Sequence, residues 1–520
     1  MKTHSIFFFL SIVLLAGCLT AQNNKGLEPI HVEQGLLLGV PGSDPSVTVY
    51  KGVPFAAPPV GNLRWRAPQP PAAWDGVRTA DKFSANAIQV MVKELGPWTP
   101  EYQPQGPTSE DCLYLNIWTA AKSSTEMRPV MVYIPGGAFT GGSGNCPVYD
   151  GEALAKKGVI VVTVNYRVGV IGFLALPELT KESEHHSSGN YGLLDQVAAL
   201  GWVKKNIAAF GGDPNNVTIV GQSAGAMSVH CLIASPLAKG LFHRAIAQSG
   251  SNYRSGPGQS LTSLEQTGLQ FAKAVGAASL SDLRAMSAED LLAASTNKFS
   301  FRPVVDGWLL PKSVDEIIAE GKQNDVATLT GWVADEGSYN DTYGKLPAEE
   351  FRNQVQRQAG TEAGAILQLY PAATDAEAAV SQKNLSRDIA MVSMYLWAAT
   401  RRQTAATNAY TYFFTHMEPG ETQQRYLTFH SSELPYVFDN LKQSPRPWTA
   451  EDRHLAEELS DYWVNFISSG NPNGKGLPEW PAFNPKRVET MELGETMGPR
   501  PLTSQEKFRT LEKLLQNSAH

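Results

Sequence analysis

Between Val217 and Val229 the chain reads VTIVGQSAGAMSV: a short apolar run, two glycines flanking a serine, then small residues at helical spacing. Val217 to Val220 predicts a strand and Ala224 onward a helix. A corner that tight holds Ser223 in strained backbone geometry. Glycines two before and two after it, Gly221 and Gly225, let neighbouring segments come close. The hydroxyl then stands above a sheet, at a helix N-terminus whose free N–H groups and partial positive charge suit a developing oxyanion. In a chain with 45 glycines the bare pattern GxSxG is a modest signal. Its position between strand and helix is what strengthens it.

A serine used this way needs a base, and the base needs an acid to orient it. In the C-terminal part of the chain stand His416, His430, His454 and His520. His520 is the last residue, His454 lies on a charged helical surface in EDRHLAEEL, and His416 ends an aromatic strand. His430, in LTFHSSELPYVF, sits in a loop before a short helix, where an imidazole can lean over a sheet edge; it is the favoured base. For the acid, GWVADEGSY puts Asp335 and Glu336 just beyond a strand end, and position alone does not separate them. A solvated acidic loop is the plain alternative. The glycine turn in YIPGGAF, Tyr133 to Phe139, offers the N–H groups of Gly137 and Ala138, with that of Ala224 after the serine, as oxyanion donors. A routine turn is the alternative there.

The elements that must position these groups are legible as a series. PVMVYIPGG and GVIVVTVNYR read as buried strands around a short helix at DGEALAKK. GLLDQVAALGWVKKNIAAFGG is helical, with Gly211 as a stop signal. VTIV, a helix from Ala224, and RAIAQSG follow. Alternating strands and helices with apolar strand runs predict a parallel sheet covered on both faces. Beyond Ser251 helices dominate to about Gly321 and again from Pro347 to Arg402. DVATLTGWVADEG and NAYTYFFTHM restore strands, and Ala450 to Ser468 forms a helix with Trp463 and Phe466 on its apolar side. One sheet therefore continues through the chain, interrupted by helical insertions.

Composition bounds the class. The 520 residues are 42% hydrophobic and 18% charged, with a net charge of −7, which excludes a disordered, collagenous or multi-span chain. No basic stripe appears, so nucleic acid is not an expected partner. The run SIFFFLSIVLLAGC, Ser5 to Cys18, has an apolar core of about 12 residues, short of the roughly 20 that span a bilayer and suited to a signal peptide. LAGC resembles a bacterial lipoprotein signal, with Cys18 the lipidated first residue and a membrane anchor. Plain secretion, with cleavage after Ala21, is the alternative. Residues 22–520 then form a single domain, exported as a periplasmic or cell-surface lipoprotein or secreted. Cys112, Cys146 and Cys231 remain, in no metal-binding spacing, and read as small buried hydrophobes. At least one of the three must be a free thiol. The chemistry asks for no metal or organic cofactor.

Long blocks of the chain resemble the type-B carboxylesterases, the branch of the α/β-hydrolases that includes cholinesterases and bacterial para-nitrobenzyl esterases. YKGVPFAAPPVGNLRWRAPQP, SEDCLYLNIWTA, GNYGLLDQVAALGWVKKNIAAFGGDPNNVTIVGQSAG and AIAQSG carry the resemblance, in order, across about Ile30 to Phe508. The blocks after GGSGNC look most like bacterial secreted members. The resemblance implies an α/β-hydrolase fold, a mostly parallel central sheet flanked by helices, with large helical insertions. It implies serine-dependent hydrolysis of small-molecule carboxylic esters through an acyl-enzyme, with Ser223 as nucleophile, Glu336 (not Asp335) as acid and His430 as base. Gly137, Ala138 and Ala224 match the oxyanion donors, and Ser249 matches a serine beside the triad. A non-catalytic neuroligin-like binding domain, or an amidase or thioesterase on the same triad, are the rival readings. Phe139 and Trp332 line the acyl side or simply pack in the core. Pro135 stands where many members have His or Tyr, and Ala138 where many have glycine. Gln222 replaces a common Glu beside the nucleophile, which argues against a choline-type cation as substrate. Cys112 matches half of a family disulfide whose partner position is Ala87, so that bond is not expected.

Overall fold

The computed structural model describes residues 27–250, 258–494 and 496–517. The signal segment, with Cys18, lies outside the described residues. The centre is an eleven-stranded sheet. Seven strands run parallel, in the spatial order Ile160–Val164, Arg128–Ile134, Gly212–Gln222, Arg244–Gln248, Ala327–Val333, Ala409–Phe414 and Glu489–Leu493. Antiparallel strands close both sides: Tyr114–Thr119, Thr48–Pro54 and Val40–Pro41 on one, Gly498–Pro501 on the other.

Side chains on a strand alternate between the two sheet faces. On Arg128–Ile134, Val130, Val132 and Ile134 join one buried cluster while Met131 and Tyr133 join another. Both faces are therefore covered, which explains the unbroken apolar runs in the sequence. The helices Tyr191–Asn206 and Ala224–Ala234 pack on the first face. The helix Ala450–Ser469 packs on the second, with Trp463 and Phe466 fully buried as expected. The helices Ala348–Ala359, Asp375–Thr404 and Gln505–Asn517 enclose a third, smaller core, joined to the sheet through Trp332 and Phe413.

One difference from the sequence reading concerns strand length. The strand placed at Val217 to Val220 spans Gly212–Gln222, because Gly212 pairs with Arg128 before the apolar run begins. The strand Thr48–Pro54 runs past a bulge to pair Pro54 with Tyr114. Cys112, Cys146 and Cys231 are all buried free thiols. Burial pushes each thiol up, that of Cys146 to about 12, so they act as small hydrophobes.

The corner at Ser223 has φ 59° and ψ −123°. Its glycines are required by contact. A Cβ on Gly221 would lie 2.4 Å from the Gly225 carbonyl, and one on Gly225 would lie 2.0 Å from the Ile134 carbonyl oxygen. The helix Ala224–Ala234 can approach the neighbouring strand only with those positions bare. Gly225→Ala is expected to cost about 1–3 kcal/mol of unfolding free energy by urea denaturation, the usual range for overpacking. Gly364→Ala, where nothing lies within 4 Å, is expected to be neutral or to stabilise by up to about 1 kcal/mol.

Candidate active site

Register brings the site together. In the parallel sheet Gln248 pairs with both Gln222 and Gly331, so two strands end at one level beside a third that runs on to Val333. The Ser223 N–H donates to the Gln248 carbonyl at 2.9 Å and the Ser249 N–H to the Gly331 carbonyl at 2.8 Å. One strand further, Asp335 forms a parallel bridge to Phe429, and its N–H donates to Thr428 at 2.9 Å. One residue beyond each side of that bridge stand Glu336 and His430, necessarily neighbours.

His430 Nδ1 bonds to Glu336 Oε2. The other oxygen, Glu336 Oε1, accepts from the Ser249 hydroxyl at 2.6 Å and the Val333 N–H at 3.0 Å. The carboxylate is thus held in place by three hydrogen-bonding groups. Because a carboxylate only accepts, the proton of a neutral His430 sits on Nδ1, leaving the Nε2 lone pair free to accept. The imidazole and carboxyl side chains are 18% and 17% exposed. Burial alone would lower the imidazole; Glu336, with a smaller contribution from Glu433, outweighs it and raises the group above its ordinary value.

The two candidate acids separate cleanly. Asp335 is buried and turned the other way, accepting from Tyr343 Oη at 2.9 Å and pairing with Arg387 at 2.6 Å. It is an anchor for the turn, and the solvated-loop alternative does not hold. His416 pairs with Asp452 at 2.8 Å, and His454 stands on the surface beside Glu458.

Gln222 lies nearer the base than the sequence suggested. Its amide nitrogen is 3.1 Å from His430 Nε2, a matched donor and acceptor given the proton on Nδ1. Ser223 stands beside this contact at the tip of the strained corner; among the described residues its hydroxyl makes no hydrogen bond to His430. The structure therefore joins Ser249, Glu336, His430 and Gln222 in one chain and leaves the last link, from the serine, open. Such links are often open without substrate.

The N–H groups of Gly137, Ala138 and Ala224 have no acceptor among the described residues. Ala138, with φ 55°, takes the left-handed conformation that a third glycine would adopt freely. Of the eleven non-glycine residues with positive φ among the described residues, five belong to this region: Ala138, Phe139, Ser223, Ser249 and Ser431. Strain is concentrated where the chemistry would be. Phe139 and Trp332 are buried, Phe139 edge-on to Phe173 and Trp332 in the third core, which favours the packing reading for both.

Two residues at the site had no motif to announce them. Trp98 donates its indole N–H to the His430 carbonyl at 3.0 Å and packs edge-on to the His430 ring. Glu433, one turn past His430, is fully buried and accepts from the Gln248 amide at 3.2 Å. A polar residue inside the apolar ELPYVF stretch was the available signal for the second.

Residues 28–511 match the model of the carboxylesterase family. The chain is 38% identical over 487 residues to fumonisin B1 esterase of Sphingopyxis macrogoltabida, covering 90% of this chain and 86% of that one. It is 35% identical over 469 residues to para-nitrobenzyl esterase of Bacillus subtilis (strain 168), covering 85% and 90% respectively. A solved structure of PNB esterase superposes with a TM-score of 0.79 at 33% identity, covering 93% of this chain and 99% of its own.

Proposed function

Because the chain belongs to the carboxylesterase family, with an α/β-hydrolase fold, and so hydrolyses carboxylic esters, we propose that Ser223 is its nucleophile, His430 its general base and Glu336 the carboxylate that orients the base. The observation that carries this reading is the bond from His430 Nδ1 to a carboxylate already fixed by Ser249 and Val333, which leaves Nε2 directed at the Gln222–Ser223 corner.

On this reading an incoming ester draws His430 from the Gln222 amide to the Ser223 hydroxyl. Nε2 takes the hydroxyl proton as Oγ bonds to the ester carbonyl carbon, and the carbonyl oxygen takes up the negative charge. Gly137, Ala138 and Ala224 donate to it, aided by the N-terminus of the helix Ala224–Ala234. The imidazolium, steadied by Glu336, returns its proton to the leaving alcohol as the carbon–oxygen bond breaks. A water attacks the acyl-enzyme by the same path in reverse. The neutral Gln222 beside the base suits a neutral or anionic alcohol portion better than a cationic one. Fumonisin B1, the ester named for one relative, is a sensible first substrate to assay beside p-nitrophenyl acetate.

Ser223→Ala is expected to lower kcat on p-nitrophenyl acetate by about 10⁴-fold or more, and Glu336→Gln by about 10³–10⁴-fold. Asp335→Asn should stay within about tenfold and act mainly on thermal stability. Equal losses at 335 and 336 would contradict the assignment of the acid.

The base must be neutral to accept a proton, so kcat/KM falls on the acid side as His430 protonates. Since His430 is raised by its carboxylate neighbours, the midpoint of that fall is expected above 6.5, the ordinary imidazole value. A midpoint at or below 6.5 in a pH-rate profile would remove the ion pair from the account.

We also propose that the chain is exported, with Cys18 as the lipidated first residue of a single domain that follows. Support comes from the short apolar run ending in LAGC. Cys18→Ser is expected to shift the protein out of the membrane fraction. Intact-mass measurement showing an unlipidated mature chain that begins at Gln22 would exclude the anchor.

A further inference from the structure

The mechanism above needs His430 held still, yet the side chain that grips its main chain comes from a segment outside the sheet. Trp98 donates its indole N–H to the His430 carbonyl at 3.0 Å, with the Ser431 hydroxyl oxygen at 3.3 Å, and its ring stands edge-on to the imidazole. The approach to Trp98 offers little support: every residue from Val90 to Gly96 is exposed. Leu95 and Trp98 close a tight turn on themselves by paired main-chain bonds at 2.9 and 3.1 Å. Cys112, further along the segment, is a free thiol, so no disulfide through it fixes the turn. Another contact must seat the indole.

One buried cation supplies it. The Arg446 side chain is 7% exposed and lies against two carboxylates, Glu101 and Glu418, at 5% and 0%. All three guanidinium nitrogens are engaged. Nε pairs with Glu418 at 2.9 Å, Nη1 bonds to Glu101, and Nη2 donates to the Thr99 hydroxyl at 2.7 Å. Thr99 in turn donates to Glu101 at 2.8 Å, and Tyr102 donates to Glu418 at 2.6 Å. Two of the three grips therefore fall on residues 99 and 101, directly after Trp98. The third falls on Glu418, in the stretch of chain that leads to His430. Tyr102 also packs edge-on to Phe429, the residue before the base.

Resting on the triad reading, we propose that Arg446 is a positioning residue for the base: it clamps the 99–102 segment to the chain before His430, and so sets the Trp98 indole on the His430 carbonyl. A buried ion pair adds little net stability over apolar packing. What this one supplies is a fixed distance between two segments that no strand pairing joins. The planar guanidinium suits the task, because its donors form a rigid fork that reaches three partners at once. A lysine ammonium would keep the charge without the fork. Because Arg446 meets the site only through Trp98 and its neighbours, its effect on the chemistry must pass through that indole.

The test is a double-mutant cycle read in kcat on p-nitrophenyl acetate, with active sites counted by the p-nitrophenol released on stoichiometric phosphonylation of Ser223. Trp98→Phe keeps a ring and removes the N–H; Arg446→Lys keeps the charge and removes the fork. Each is expected to lower kcat by about tenfold, with KM within about threefold. In the Trp98→Phe background, Arg446→Lys should cost less than about twofold more, because both act through one bond. Glu101→Gln leaves the Arg446–Glu418 pair in place and is the milder probe. It should lower kcat by about threefold alone and not at all beside Trp98→Phe. If Arg446→Lys does not fold, the Glu101→Gln cycle decides. A lower Tm with kcat per active site unchanged would reduce Arg446 to a structural role and overturn the inference, as would losses that multiply in the combined variant. If Ser223→Ala retains activity, the triad reading itself fails. An inactive Ser223→Ala beside an unimpaired Arg446→Lys defeats only the role of Arg446.

Discussion

A carboxylate and an imidazole 94 residues apart in the chain share a hydrogen bond at the end of one sheet, and the site is built around keeping them there. The bond is a consequence of register. Where the parallel pairing of Ala327–Val333 with Ala409–Phe414 ends, Asp335 forms an isolated parallel bridge to Phe429, on a later segment that returns beside the first strand. A slip of one residue would carry Glu336 away from Nδ1, and every side chain on that strand to the opposite face. Asp335, pinned by Arg387 and Tyr343, prevents the slip. The acid that does not face the base is what holds the acid that does.

The same logic governs the loop that carries the base. Arg446 is buried between Glu101 and Glu418, and Tyr102 donates to Glu418 at 2.6 Å. This ties the 97–103 segment to the chain on both sides of His430 and sets Trp98 where its indole can hold the His430 carbonyl. Elsewhere around the site, Arg167 and Asp195 pair with neither side chain exposed, while Tyr166, the residue before Arg167, donates to the Pro135 carbonyl at 2.9 Å, just before the Gly136–Gly137 turn. Buried pairs of this kind add little net stability, because desolvation offsets much of their attraction. Their geometry is demanding, however, and here they sit beside segments whose placement the chemistry requires. Strain at Ala138, Ser223, Ser249 and Ser431 is sustained by that surrounding framework.

The fold was largely legible because both faces of the sheet are covered. Covered strands must be apolar throughout, so PVMVY, GVIVV and VTIV announce themselves. The strand Glu489–Leu493, ETMEL, gave no such signal: its apolar residues are interleaved with charged and hydroxyl side chains near the sheet's edge. Within the candidate site, the sharp corner at Ser223 was legible from its flanking glycines, which a local clash demands, and the loop position of His430 from the residues around it. Gln222 was noted as a departure, but its contact with the base was not foreseeable, since it depends on how two distant strand ends converge.

What the sequence alone determined, therefore, was whatever is enforced by neighbours along the chain. The bare corner at Gly221 and Gly225, with Ser223 at its tip, and the alternation of strands and helices are of that kind. Local sterics and periodicity act over a few residues, so they leave a local record. Only the tertiary structure decided between Asp335 and Glu336 by geometry, set Gln222 against Nε2, brought Trp98 over the base and buried Glu433 behind it. Each of those outcomes depends on register and burial between segments far apart in the chain. A carboxylate or an amide carries no mark in its own sequence of which partner the sheet will bring to it.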